Sequence, residues 1–181
     1  MLIGDSQAVK NTDTADIETK GFCFYKCTNG IKRHLLVDVL GTPFFVACTP
    51  ANVSDDDGLV QMIKENLDFF RSLPAKSEPN ALTILLDSGY NKSSIESKLE
   101  LLDPEILTKI TIKIAPKMSP EQKKTQGLTG FVVVAKRWIV ERSNSWMEKC
   151  RLLWKNCECK LLTSVANIKL CFIRLLLRRL Y

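Results

Sequence analysis

The chain has 181 residues, of which 45% are hydrophobic and 25% charged, and a formal net charge of +6. That is about one domain's length with enough apolar material for a core, which excludes a disordered polypeptide. No apolar run is long enough to span a bilayer and Met1 to Gly4 is too short for a secretory leader, so the expectation is a cytoplasmic protein with no membrane partner.

The charge is uneven. Lys136 to Tyr181 holds 11 basic and 3 acidic residues, a net of +8, whereas the rest of the chain carries −2. A basic C-terminal segment behind a mildly acidic body points to a polyanionic partner or to a solvated basic helix face. Seven cysteines, an odd number, fit free thiols in a reducing compartment. Cys23-x3-Cys27 and Cys157-x-Cys159 lack zinc spacing, and the single histidine, His34, sits in a strand-like run.

Leu2 to Val9 reads as a short strand with polar residues at its centre, and Asn11 to Lys20 as a polar loop. Ile31 to Leu40 and Phe44 to Thr49 read as two buried strands joined by the turn Gly41-Thr42-Pro43, a hairpin. Ser54 caps a helix with Asp55, Asp56 and Asp57 in its first turn, expected to run to about Ser72. Pro74 to Asn80 is a linker, and Leu82 to Leu86 is a strand that stops at Asp87. A helix starts at Ser93 or Ser94. Lys109 to Ile114 alternates as a half-buried strand, Met118 to Gly130 is polar, and Phe131 to Val134 is a short apolar run. The last pattern is a long helix whose apolar stripe is Ile139, Trp146, Cys150, Leu153 and Cys157. The order predicts a mixed α/β sheet, with three antiparallel strands first and parallel additions after, flanked by helices.

Three carboxylates stand out by placement. Asp5 lies inside the first strand, Asp87 closes an apolar strand, and Glu141 lies off the apolar stripe of the long helix, with Arg137 and Ser145 on its own face. A carboxylate beside a buried strand must be solvated, paired or metal-bound. An all-oxygen donor set suits Mg²⁺ or Mn²⁺ rather than zinc. Asp38 and Asp55 to Asp57 are competing candidates.

At these residues the chain resembles a known family. Asp5-Ser6-Gln7, Gly30 to Gly41, Pro50 to Asp55, Leu86-Asp87-Ser88-Gly89-Tyr90, and Arg137-Trp138-Ile139-Val140-Glu141-Arg142 followed by Trp146 are similar, in order, to the signatures of DDE insertion-sequence transposases. The tail Ile173 to Leu180 resembles the family's last helix. Cys23 to Cys27 departs from a stretch that is usually glycine- and lysine-rich.

The resemblance implies an RNase H-like fold in which Asp5, Asp87 and Glu141 are the catalytic and metal-binding residues for two Mg²⁺ or Mn²⁺ ions. It implies strand cleavage and strand transfer on DNA, at element ends and target. Arg137, Arg142, Lys149, Lys32 and Arg33 are the expected DNA contacts. The expected organisation is a catalytic domain over 1–156 and a basic, apolar helix over 157–181 packing on it. Only four residues precede Asp5, so an upstream DNA-binding domain is expected to be absent, lost or supplied by an upstream frame. The active form is expected to be a homo-oligomer on DNA. The alternatives are an inactive remnant that only binds DNA or a partner transposase, and another RNase H-like nuclease.

Overall fold

The computed structural model describes residues 1–78, 81–116 and 136–180. The readings of Met118 to Gly130 and Phe131 to Val134 therefore lie outside the described residues, as does the end of the Pro74 to Asn80 linker.

Strand β1 (Leu2–Lys10) is followed by a short strand β2 (Phe22–Cys23) and then the hairpin β3 (Thr28–Val37) and β4 (Pro43–Pro50). Helices α1 (Asp55–Lys64) and α2 (Leu67–Arg71) lead to β5 (Leu82–Leu86). Helices α3 (Lys92–Leu102) and α4 (Ile106–Lys109) lead to β6 (Ile110–Ile114). The chain ends on α5 (Arg137–Glu148) and α6 (Leu161–Leu180).

Among the described residues the sheet has six strands. β1 and β4 flank β3 antiparallel, and β2 pairs the start of β3 beyond the end of β4. β5 and β6 add on the other side of β1 in parallel. This is the predicted mixed sheet, three antiparallel strands with parallel additions, in an RNase H-like arrangement.

Strand side chains alternate between faces, and the alternation divides the core. Leu2, Leu36, Ile84 and Leu86 pack under α1 to α4 with Leu59, Met62, Ile63, Phe70, Ile95 and Leu99. Ile3, Ile31, Leu35 and Val37 pack under α5 and α6 with Ile139, Val140, Met147, Ile168 and Phe172.

Several boundaries differ from the sequence reading. The helix expected from Ser54 to Ser72 breaks after Lys64. There the Asn66 amide donates to the Met62 carbonyl at 2.8 Å and the backbone leaves helical geometry, a side chain competing with the helix for its own carbonyl. The long C-terminal stripe is not one helix. α5 stops at Glu148, and Leu153 belongs to a 3₁₀ turn. Asn156 then pairs with the end of β1, its N–H donating to Lys10 at 3.0 Å and its carbonyl accepting from Thr12 at 2.9 Å. Ile139, Cys150 and Leu153 still reach the core, but Cys157 is exposed. The cap of α3 is Asn91, whose side chain accepts from the Ser94 N–H. Among the described residues no helix is long and apolar enough to cross a membrane.

Candidate active site

The parallel register pairs Leu2 with Ile84 and Ile3 with Leu85. Continued two residues further, it sets Asp5 level with Asp87. Ile3 and Leu85 both pack in the core under α5 and α6, so by alternation both aspartates project toward α5. On α5, Arg137, Glu141, Asn144 and Glu148 recur at i, i+4, i+7 and i+11, a polar seam along one helix face.

The seam meets the strand. Asn144 Nδ2 donates to Asp5 Oδ2 at 2.7 Å, and Gln7 Nε2 donates to Glu148 Oε1 at 2.8 Å. Arg137 stands between the three carboxylates. Its Nη1 is 3.0 Å from Asp87 Oδ1, and its Nη2 is 3.9 Å from Asp5 Oδ1 and 3.6 Å from Glu141 Oε1. The guanidinium is buried, and among the described residues Nη1 has no aligned hydrogen bond despite its short contact with Asp87. Its hold on the carboxylates is Coulombic, least screened by solvent at Asp5 and more so at Asp87 and Glu141, whose side chains are each 45% exposed.

Burial pushes the Asp5 carboxyl above the usual carboxylate range, and the Arg137 charge and the Asn144 hydrogen bond oppose the shift. An aspartate so placed gains from any cation brought close to it.

The helix itself is clamped to the turn after β3. Ser143 Oγ donates to the Gly41 carbonyl and Arg142 Nη2 to the Leu40 carbonyl, both at 2.7 Å. Gly41 adopts a φ of +81°, and a Cβ there would press on Ser143 Oγ and Arg142. Glycine is required by both the backbone conformation and the close approach.

The predicted DNA contacts scatter. Lys149 is exposed beyond the end of α5. Arg142 is enclosed by Trp138 and Trp146, 4.6 and 4.9 Å from their ring centres, and Arg179 lies 4.3 Å over Trp146. Lys32 is paired with Asp55 at 2.8 Å and donates to the Val53 carbonyl. Arg33 is 3% exposed and donates to the Leu153 carbonyl, so it presents no surface to a phosphate. Lys32 and Arg33 are neighbours in sequence but project to opposite faces of the sheet. Of the competing carboxylates, Asp38 accepts from the Leu40 and Thr42 N–H groups of its own turn, and Asp55 holds Lys32.

Asn144 was not singled out by sequence. Its signal was available, three residues after Glu141 and so on the same helix face.

An all-oxygen donor set matches hard divalent ions. The three carboxylates are arranged around the guanidinium, and among the described residues no three His, Cys, Asp or Glu side chains have the spacing of a metal site. The chemistry of the set fits such ions, with Arg137 as the cation that offsets part of its negative charge. Asp5 and Asp87 also line an open cleft of about 680 Å³ with Asp55 and Tyr90.

The family model for the transposase DDE domain matches residues 2–176. No curated protein and no solved structure matches the chain. With nearly its whole length matched, the chain belongs to the transposase DDE domain family.

Proposed function

We propose that this transposase domain cuts and joins DNA strands with Asp5, Asp87 and Glu141 as its catalytic carboxylates. The observation that supports this most is their convergence, from two strands and a helix, on the single guanidinium of Arg137. The three would hold divalent ions, two Mg²⁺ or Mn²⁺. The chemistry supplied by ions held there would be activation of an attacking water or 3′-hydroxyl and stabilisation of the departing oxygen.

The chain's own residues do the remaining work. Asn144 fixes the rotamer of Asp5 through Oδ2 and turns Oδ1 toward Arg137. Arg137 offsets part of the cluster's negative charge. When cations and DNA arrive, its guanidinium turns to the scissile phosphate, which it can grip with two parallel N–H groups. Lys149, exposed past the end of α5, contacts the DNA backbone. Element ends and target are the substrates, brought together by a homo-oligomer.

Mn²⁺ titration followed by electron paramagnetic resonance tests the carboxylates, and Asp87→Asn should weaken binding. Metal-dependent cleavage and strand transfer of an oligonucleotide should fall at least about a hundredfold in the same variant, since a catalytic ion supplies several kcal/mol. Salt-dependent DNA binding with no metal-dependent cleavage in the wild-type protein would instead carry the alternative, a remnant that binds without cutting.

A further inference from the structure

Three aromatic rings stand in solvent, one on β2 and two at the tip between β2 and β3. Phe22 is 43% exposed, Phe24 83% and Tyr25 90%. Large apolar side chains at such exposure, grouped within four residues, mark a binding surface more often than a fold requirement. They are not a loose tail. Cys27 adopts a left-handed φ of 47° and its N–H donates to the Phe24 carbonyl at 3.3 Å, closing a tight turn. Phe22 and Phe24 meet edge to face at 5.0 Å. The Lys26 ammonium lies 5.5 Å over the Tyr25 ring. β3, which carries the turn, is hydrogen-bonded to β1, the strand of Asp5.

The position of the turn matters more than its exposure. Tyr25 and Lys26 line the same cleft of about 680 Å³ as Asp5 and Asp87. Stacking rings beside a cation, along a groove, is the pairing that holds single-stranded nucleic acid, because every base offers a π-face and every phosphate a charge. A fully paired duplex hides its base faces, so the rings can stack only on a base that has left the helix.

We propose that Phe24 and Tyr25 form an aromatic lip that stacks on an unpaired base of the DNA strand entering the cleft, with Lys26 on the adjoining phosphate. The lip would hold open the end of the duplex and feed the strand to the carboxylates. This rests on the DNA-processing reading above and adds a preference for unpaired ends.

The test uses the full chain and two oligonucleotides, a fully paired duplex and the same duplex with an unpaired single-stranded end carrying fluorescent aminopurine. The wild-type protein should bind the frayed oligonucleotide more tightly and quench its aminopurine. The double variant Phe24→Ala, Tyr25→Ala should lose the quenching. It should bind the frayed end on the order of tenfold more weakly, with binding of the paired duplex unchanged. Tyr25→Phe should keep both signals. Lys26→Ala should lower the salt slope of binding by about one, which the aromatic variants should not. The rings are exposed, so the variants keep the fold, checked by circular dichroism.

Equal quenching in wild type and double variant would overturn the lip while leaving DNA binding in place. So would a double variant whose only change is in self-association. A wild-type protein that binds neither oligonucleotide would overturn the DNA-processing reading and the lip with it.

Discussion

The face of the sheet under α1 to α4 and the face under α5 and α6 draw alternate residues from the same strands. On the first, Leu2, Leu36, Ile84 and Leu86 meet Leu59, Ile63, Phe70 and Leu99, and the contact is almost wholly apolar. On the second, Ile3, Leu35 and Val37 supply an apolar floor that Asp5, Gln7 and Arg33 interrupt. α5 answers Asp5 with Arg137 and Asn144 and Gln7 with Glu148, and the Leu153 carbonyl, in the turn after α5, accepts from Arg33. An apolar face can be packed to density without polar partners. A face with buried charge must satisfy each polar group, and one left short is costly. The first face holds the sheet rigid, and the second uses that rigidity to keep carboxylates close together.

The largest change that separates the faces is Phe70→Ala. Phe70 is fully buried against Phe45 and Phe69, and its loss should cost about 3–5 kcal/mol in denaturant unfolding. Mn²⁺ affinity of the folded protein should not move. Met147→Ala, equally buried but on the second face, should cost about 2–5 kcal/mol and also weaken Mn²⁺ binding, because α5 carries Glu141 and Asn144. Equal metal affinity in both variants would dissolve the comparison.

His34 is the polar exception beneath α1. Its Nε2 pairs with Thr49 Oγ1 at 2.9 Å, Nδ1 has no partner among the described residues, and a Cβ on Gly58 would run into the ring. Burial holds its pKa at about 4, against 6.5 for the free side chain, with Asp55 opposing and Lys32 reinforcing. Between these values the unfolded chain takes up a proton that the folded chain refuses. Stability is therefore complete above pH 6.5 and falls as pH drops toward 4, by on the order of 3 kcal/mol. Unfolding across that window should show the slope in the wild-type protein and its loss in His34→Asn.

Smaller effects refine the second face. Asn144→Ala removes the bond that orients Asp5 and should weaken Mn²⁺ binding about 10–100-fold, as for other residues that orient a metal ligand. Calorimetric titration at fixed pH reads it directly. Ser54→Ala removes the α1 cap, whose Oγ accepts from the Asp57 N–H at 3.0 Å. It should lower the melting midpoint by an amount equivalent to about 1 kcal/mol with metal binding intact.

Much of the fold was legible before the structure. The apolar run Leu82 to Leu86 stopping at Asp87, the hairpin around Gly41, and the cap at Ser54 followed from periods and caps alone. Short elements were not. β2 has two residues and α4 four, too few for a period to register. Nor was the setting of Trp138, which is 46% exposed and held against Arg142, because apolar residue type alone cannot tell a buried ring from one stacked on a cation.

By itself the sequence determined the residue types and their faces: which strands alternate, that Asp5 and Asp87 interrupt apolar runs, and that Arg137 and Glu141 lie one turn apart. These are local properties, set by backbone period within a single element. The tertiary structure alone decided that β1 and β5 are neighbours in a register that levels two aspartates distant in the chain. It also decided that Arg33 is buried while Lys32 meets Asp55, and that Tyr25 stands at the lip of the cleft. Each depends on which strand pairs with which, a choice made by the burial of two whole faces at once and written in no single segment.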